Sequence, residues 1–221
     1  MALRSWRKTL RMVAVSNTSP VSNLSMIGRL SLLQSQFTLV LIPLAVRNEL
    51  ERVPDTAAIA SIGRALEAGW LKVQPVVNIG FAVALGNDLD AGEAEAIVLA
   101  TEVQADMILI DEKEGRNLAR LTGLNVRGVL GILLRAKAMS EIASVKLEIA
   151  ALRSLAGFFV ASSLEAEVLR TAGASSANTD VTALNGVTTT GHQNGSPRQP
   201  LSSAPPCRNR RYRRSRDEAG V

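Results

Sequence analysis

The 221-residue chain has one cysteine, Cys207, and one histidine, His192, both near its C-terminal end. A single thiol builds no disulfide framework. The globular part therefore has no Cys/His zinc site, no Ser-His-Asp or Cys-His nucleophile, and no histidine acid or base. Chemistry there has to run on carboxylates, lysine, arginine or hydroxyls. Long apolar runs are missing too: none reaches the about 18 residues that a membrane-spanning helix needs. Met1 to Arg11 lacks the apolar stretch of a secretory signal, so a cytoplasmic location with no membrane partner is expected. Neither G-x-G-x-x-G nor G-x-x-x-x-G-K-[ST] occurs, which leaves dinucleotide and P-loop nucleotide binding without support.

What is present is apolar content, 47% of residues, enough for a globular core and, at this length, for one domain with appendages. The net charge of +5 is divided unevenly. Arg4, Arg7, Lys8 and Arg11 make residues 1–11 a basic extension, and residues 174–221 carry seven arginines against three acids. Residues 13–173 hold 14 basic and 17 acidic side chains, so the folded part is mildly acidic.

Periodicity gives an alternating order of elements. Apolar runs at Met12 to Val15, Thr38 to Ile42, Trp70 to Gln74 and Met107 to Ile110 read as buried strands, with Asn125 to Val126 as a short last one. Helical patterns fall near Leu24 to Gln34, Leu44 to Arg52, Thr56 to Ala68, Asp90 to Val103, Gly115 to Leu121, Val129 to Ala138, Val145 to Ala156 and Ser163 to Ala172. Asp55 serves as one N-cap, and Gly173 closes the last helix. Residues 75–89 read as a loop with a short helix. Strands alternating with helices imply βαβ units, an α/β fold of three layers with helices on both faces of a central parallel sheet. The domain spans residues 12–173. From residue 174 the composition turns to Ser, Thr, Asn, Gly and Pro and ends in an Arg-rich segment, which predicts a disordered tail.

Ligand sites in such sheets lie beyond the carboxyl ends of the strands. Four polar residues fall there: Asn17 after the first strand, Glu49 on the helix after the second, Glu93 at a helix start and Asp111 after the Met107 to Ile110 strand. Gathered carboxylates repel one another unless a cation neutralises them, and oxygen-only ligands suit Mg²⁺ or Mn²⁺. Each residue also has a plainer reading. Glu93 completes a capping box with Asp90, Glu49 can be a solvated surface acid, and Asn17 can be a helix cap. The row Glu93, Ala96, Ile97, Ala100 puts Glu93 on the buried face and Glu95 on another. Lys113 and Arg116 can meet phosphates or pair with Glu112 and Glu114.

The segments Val15-Ser16-Asn17-Thr18-Ser19-Pro20-Val21-Ser22-Asn23-Leu24, Ile42-Pro43 through Glu49-Leu50, Gly92-Glu93-Ala94-Glu95-Ala96-Ile97, and Leu109-Ile110-Asp111-Glu112 with Gly115-Arg116, taken in order, resemble the PIN-domain superfamily. The nearest likeness is to its uncharacterised bacterial branch related to VapC toxins. The resemblance implies a Mg²⁺ or Mn²⁺ site of three or four acids and endoribonuclease activity on single-stranded RNA. It places catalytic and metal-binding roles on Glu49, Glu93 and Asp111, with Asn17 as a further metal ligand and Glu95 or Glu112 as extra candidates. The partners it implies are an RNA substrate, a small antitoxin protein and a second copy of the chain. Asn17 stands where the superfamily has its first Asp; its carbonyl can ligate a hard cation but brings no charge. A noncatalytic PIN-like module that binds RNA or a protein is the alternative. A phosphoacceptor role for Asp111 lacks the acidic pair it would need after the first strand.

Overall fold

The computed structural model describes residues 12–180, with side chains described to residue 174. The basic extension of residues 1–11 and the Arg-rich end of the expected tail lie outside the described residues. Five short strands pair in parallel: β1 (Val13–Ser16), β2 (Leu39–Ile42), β3 (Leu71–Val73), β4 (Met107–Leu109) and β5 (Val126–Arg127). Their order across the sheet is β3-β2-β1-β4-β5. Ten helices are described: α1 (Thr18–Met26), α2 (Ser31–Gln36), α3 (Leu44–Leu50), α4 (Thr56–Glu67), α5 (Ile79–Leu85), α6 (Ala91–Glu102), α7 (Lys113–Leu121), α8 (Val129–Ala138), α9 (Val145–Ala156) and α10 (Ser162–Asp180).

The layers follow from the period of two along each strand. Ala14, Val40, Ile42 and Leu109 project into one core, where α1, α2, α3, α4, α8, α9 and α10 bury their apolar residues. Val15, Leu41 and Ile108 project into the other, with α5, α6 and α7. Both faces are covered at the centre of the sheet, so β2 and β4 are continuous apolar runs, as the sequence reading expects of a buried parallel sheet, whereas the edge strands β3 and β5 carry Lys72 and Arg127. No helix among the described residues is long and apolar enough to cross a membrane.

Two elements differ from their sequence reading. The helical stretch expected over Leu24 to Gln34 is two helices. The first begins earlier, at Thr18, with Pro20 in its first turn, where the missing N–H costs no hydrogen bond. It ends before Gly28, whose φ of +68° suits glycine and reverses the chain into α2. At the other end, Gly173 does not terminate its helix: it is not among the glycines with positive φ, and α10 continues to Asp180.

From β1 the chain moves outward through β2 to β3, then returns to place β4 on the other side of β1. Connections leave β1 and β4 in opposite directions and open a crevice at their carboxyl ends, the place where ligands bind in open α/β sheets. The crevice floor is fixed by the backbone N–H of Asn17, which donates to the Leu109 carbonyl at 3.0 Å.

Helix α6 supplies the crevice with its central wall. It packs on β1 and β4 between α3, α5 and α7, and Ala94, Ala96, Ile97, Val98, Leu99 and Ala100 are all buried. A helix whose middle turns are apolar on most sides has to lie inside the protein, so Glu93, at the head of that buried row, is carried inside with it.

One ion pair ties the helix that begins at this crevice to the rest of its layer. Just past α1, Arg29 donates through Nε and Nη2 to Glu148 Oε1 on α9, at 3.0 and 2.8 Å. Glu148 is 7% exposed, so removing the guanidinium strands a buried carboxylate. We expect Arg29→Ala to destabilise the protein by about 2 kcal/mol, below the fully buried case because Arg29 is half-exposed. Joint replacement by Arg29→Met and Glu148→Leu should recover most of that loss. Urea unfolding of the three proteins measures it.

Candidate metal centre

The carboxylate of Glu93 is the most constrained polar group at the crevice. Asp90 caps α6 by accepting the Glu93 backbone N–H on Oδ1 at 2.8 Å. The reciprocal half of the capping box does not form. Glu93 Oε1 is instead buried with no hydrogen-bond partner among the described residues. Gly115, at the start of α7, makes room for it: a Cβ there would lie 2.6 Å from Glu93 Oε1. The glycine is needed for this close approach and not for its backbone angles.

Around Glu93 the charge is of one sign. Ligand oxygens of Asp90, Glu93 and Glu112 lie within 4.8 Å of one another. Burial pushes the Glu93 carboxyl up to about 7, and the neighbouring charges of Glu112, Asp90 and Glu114 add to the rise. A buried carboxylate facing others with no cation beside it is unstable when ionised. It is relieved by a proton or by a metal.

Asn17 contributes a second unsatisfied oxygen. It occupies the N-cap position of α1, yet its side chain makes no capping hydrogen bond, and its Oδ1 is buried without a partner among the described residues. Leaving such an acceptor unpaired costs about 1–3 kcal/mol. Ser19 in the first turn of the same helix donates to Glu112 Oε1 at 3.4 Å, which brings the start of α1 and the start of α7 to one place.

Glu49 and Asp111 flank this group and are not part of the 4.8 Å cluster. On one side, Glu49 accepts a hydrogen bond from the Thr18 hydroxyl. Its carboxylate rests on the α6 backbone, 2.9 Å from where a Cβ on Gly92 would be. On the other side, Asp111 Oδ1 accepts the Val129 N–H at 2.8 Å, at the start of α8, while Oδ2 is buried and unpartnered among the described residues. Burial raises the Asp111 carboxyl to about 6 against the opposing effects of the Val129 hydrogen bond and Arg116; Glu112 adds to the rise.

The four expected residues thus lie along one sheet edge, but the acids that meet Glu93 most closely are Asp90 and Glu112. Sequence reasoning took Asp90 only as a cap. The signal was present in the spacing: an N-cap and the third residue of a helix are neighbours, so an acid at each puts two carboxylates side by side. Glu112 was an extra candidate. The other extra candidate, Glu95, serves the fold elsewhere, since its Oε2 accepts the Ala45 N–H at 3.0 Å and holds the first turn of α3.

All available donors here are carboxylate or amide oxygens, a set that fits a hard divalent cation and not a soft one. The unpartnered Glu93 Oε1 and Asn17 Oδ1 are the oxygens such an ion would satisfy.

The sequence matches the DUF3368 family, described as a PIN domain, over residues 13–174. No match was found among curated proteins. Among solved structures, a PilT N-terminus domain protein from the hyperthermophilic archaeon Sulfolobus solfataricus is similar at 23% identity and a TM-score of 0.38, over 57% of this chain and 93% of that one. The family match begins at the first residue of β1 and ends inside α10, so it takes in every strand of the sheet, and the chain belongs to the DUF3368 family of PIN domains.

Proposed function

We propose that the protein is a divalent-metal-dependent endoribonuclease acting in the cytoplasm, the toxin of a toxin–antitoxin pair. The observation that carries this reading is the buried Glu93 carboxylate beside Asp90 and Glu112, with Oε1 unpartnered among the described residues. PIN domains are in general metal-dependent nucleases, and this chain is a PIN domain. In the proposal, Glu93, Asp90 and Glu112 hold Mg²⁺ or Mn²⁺ with the Asn17 carbonyl, and Glu49 and Asp111 complete the acidic set from the two flanks.

A bound divalent cation supplies Lewis acidity and a water acidic enough to attack a phosphodiester near neutral pH, which replaces the histidine that the domain lacks. The chain's own part is positional. Gly115 leaves open the space that a side chain there would share with Ile110 Cδ1 and Glu93 Oε1, which lets α7 close over the carboxylate. Thr18 holds Glu49, and the α8 amide of Val129 holds Asp111. A small antitoxin and a second copy of the chain are the protein partners this reading implies.

Asn17 favours a second reading, a PIN module that binds RNA or a protein without cutting. The carbonyl adds a ligand but no charge, and cation affinity in oxygen sites rises with ligand charge.

Three outcomes test these readings. RNA breakdown by the purified protein should require Mg²⁺ or Mn²⁺, stop in EDTA, and fall about 100-fold or more in Glu93→Gln, the loss of a few kcal/mol of charge stabilisation. Full activity in that variant would remove the assigned centre. Asn17→Asp should tighten Mn²⁺ binding roughly tenfold by calorimetry; cleavage appearing only in this variant would establish the noncutting reading for the native chain.

The third concerns pH. Glu93 is raised from 4.5 to about 7 in the folded protein, so the folded state holds a proton that the unfolded state has released. Metal-free stability should therefore fall as pH rises from about 4.5 to 7, and Asp111 adds to the fall up to about 6. Thermal melts in EDTA across that window should show this slope, and Glu93→Gln should flatten it. Melts that gain stability over the same window in the native protein would contradict the burial of Glu93.

A further inference from the structure

A cleft of about 580 Å³ is lined by Asp111 but not by Asp90, Glu93 or Glu112. Lys113, Arg116, Arg120 and Arg127 line it, and Asp111 is the one acid in its lining. The surrounding body, residues 13–173, is net acidic, so this concentration of positive charge is local. None of the four forms a salt bridge with a carboxylate among the described residues. Arg127 lies across Gly131, where a Cβ would sit 2.7 Å from its Cγ, and its Nη1 is buried without a hydrogen-bond partner among the described residues. Arg116 gives one weak bond, from Nη1 to the Ile110 carbonyl at 3.3 Å.

The opposite wall is apolar. Phe159, between α9 and α10, is 86% exposed and lines the same cleft with Phe158 and Leu164. Arg120 Nη1 makes one long bond, to Asn117 Oδ1 at 3.4 Å, and Arg116 lies close enough to Asp111 to lower its carboxyl, so most guanidinium donors on this wall still face the cleft beside the exposed ring. Guanidinium forks match phosphate oxygens, and an aromatic face accepts an unstacked base. Charge on one wall and an exposed ring on the other match the alternation of phosphate and base along a single strand.

We propose that this cleft binds the backbone of single-stranded nucleic acid, with Arg116, Arg120 and Arg127 on phosphates and Phe159 stacked on a base, and delivers the strand past Asp111 to the acidic centre. The substrate class rests on the nuclease reading above, whereas binding itself needs no metal. An anionic protein segment would meet the arginines but would leave Phe159 without a planar partner.

The test uses the full chain in EDTA, so that binding is read apart from cleavage. A ten-residue oligouridylate containing 4-thiouridine should cross-link on irradiation to the peptide bearing Phe158 and Phe159. Phe159→Ala and the exposed Arg120→Ala should each weaken binding about tenfold by fluorescence anisotropy. Arg120→Ala should also reduce the slope of log affinity against log salt by about 0.7, the value for one phosphate on a single strand. Arg127→Ala should weaken binding similarly, and Arg120→Ala keeps the test valid if Arg127→Ala unfolds. Cross-links confined to residues 198–216, unchanged affinity in Phe159→Ala and Arg120→Ala, or displacement by a glutamate oligopeptide as effective as by RNA would each overturn the proposal. Cross-linking at Phe159 without any metal-dependent cleavage would sink the nuclease reading and leave the cleft assignment standing.

Discussion

An ionised carboxylate inside a protein is costly, and more so beside others. Glu93 is 3% exposed with Asp90 and Glu112 close by. The fold imposes this placement through α6, whose apolar middle, Ala94 and Ala96 to Ala100, is buried against β1 and β4. Its first turn is then delivered to the crevice at the carboxyl ends of those strands. Gly115 completes the constraint by letting α7 approach closely enough that a side chain would collide with the carboxylate. The stability given up at Glu93 is supplied by the two cores behind it, a division of labour common where sites demand groups that folding alone would avoid.

Strand geometry decides how the remaining acids are shared out. Asp111 and Glu112 are adjacent in the chain just past β4, and their side chains find partners on different elements. Asp111 goes toward β5 and the α8 amide of Val129. Glu112 goes toward β1 and α1, where Ser19 meets it. Parallel pairing of β4 with β1 on one side and β5 on the other makes both destinations available. Asp111 thus stands at a boundary, with carboxylates on one flank and the arginines of the cleft on the other. The mildly acidic body and the local basic wall are two parts of one surface that meet at this residue.

Residue chemistry and the class of fold are written in local pattern. With histidine and cysteine found only after residue 173, any reactive centre in the domain had to be built from carboxylates, lysine, arginine or hydroxyls. Apolar runs separated by helical periods dictated a parallel sheet covered on both faces, because a strand apolar along its whole length is satisfied only when both sides are buried. Asp55, Asp90 and Ser144 act as N-caps, and capping is a local interaction that three or four neighbouring residues encode. Asn17 and Asp111 each follow a strand and Glu93 opens a helix, so their place at the sheet edge is legible for the same reason; Glu49, near the end of α3, is not marked by such a local signal.

Which of these acids face each other is set by packing between elements distant in the chain. Whether Glu93 closes a capping box or turns inward depends on how closely α7 passes at Gly115, a contact between residues 22 apart in the chain. Whether Asp111 or Glu112 meets Glu93 depends on the register of β4 between β1 and β5, and shifting a strand by one residue reverses every side chain on it. Local pattern carries neither quantity, since both are set by packing between elements distant in sequence. The pairing of Arg116, Arg120 and Arg127 with Phe159 across one cleft is of the same kind, assembled from α7, β5 and the turn before α10.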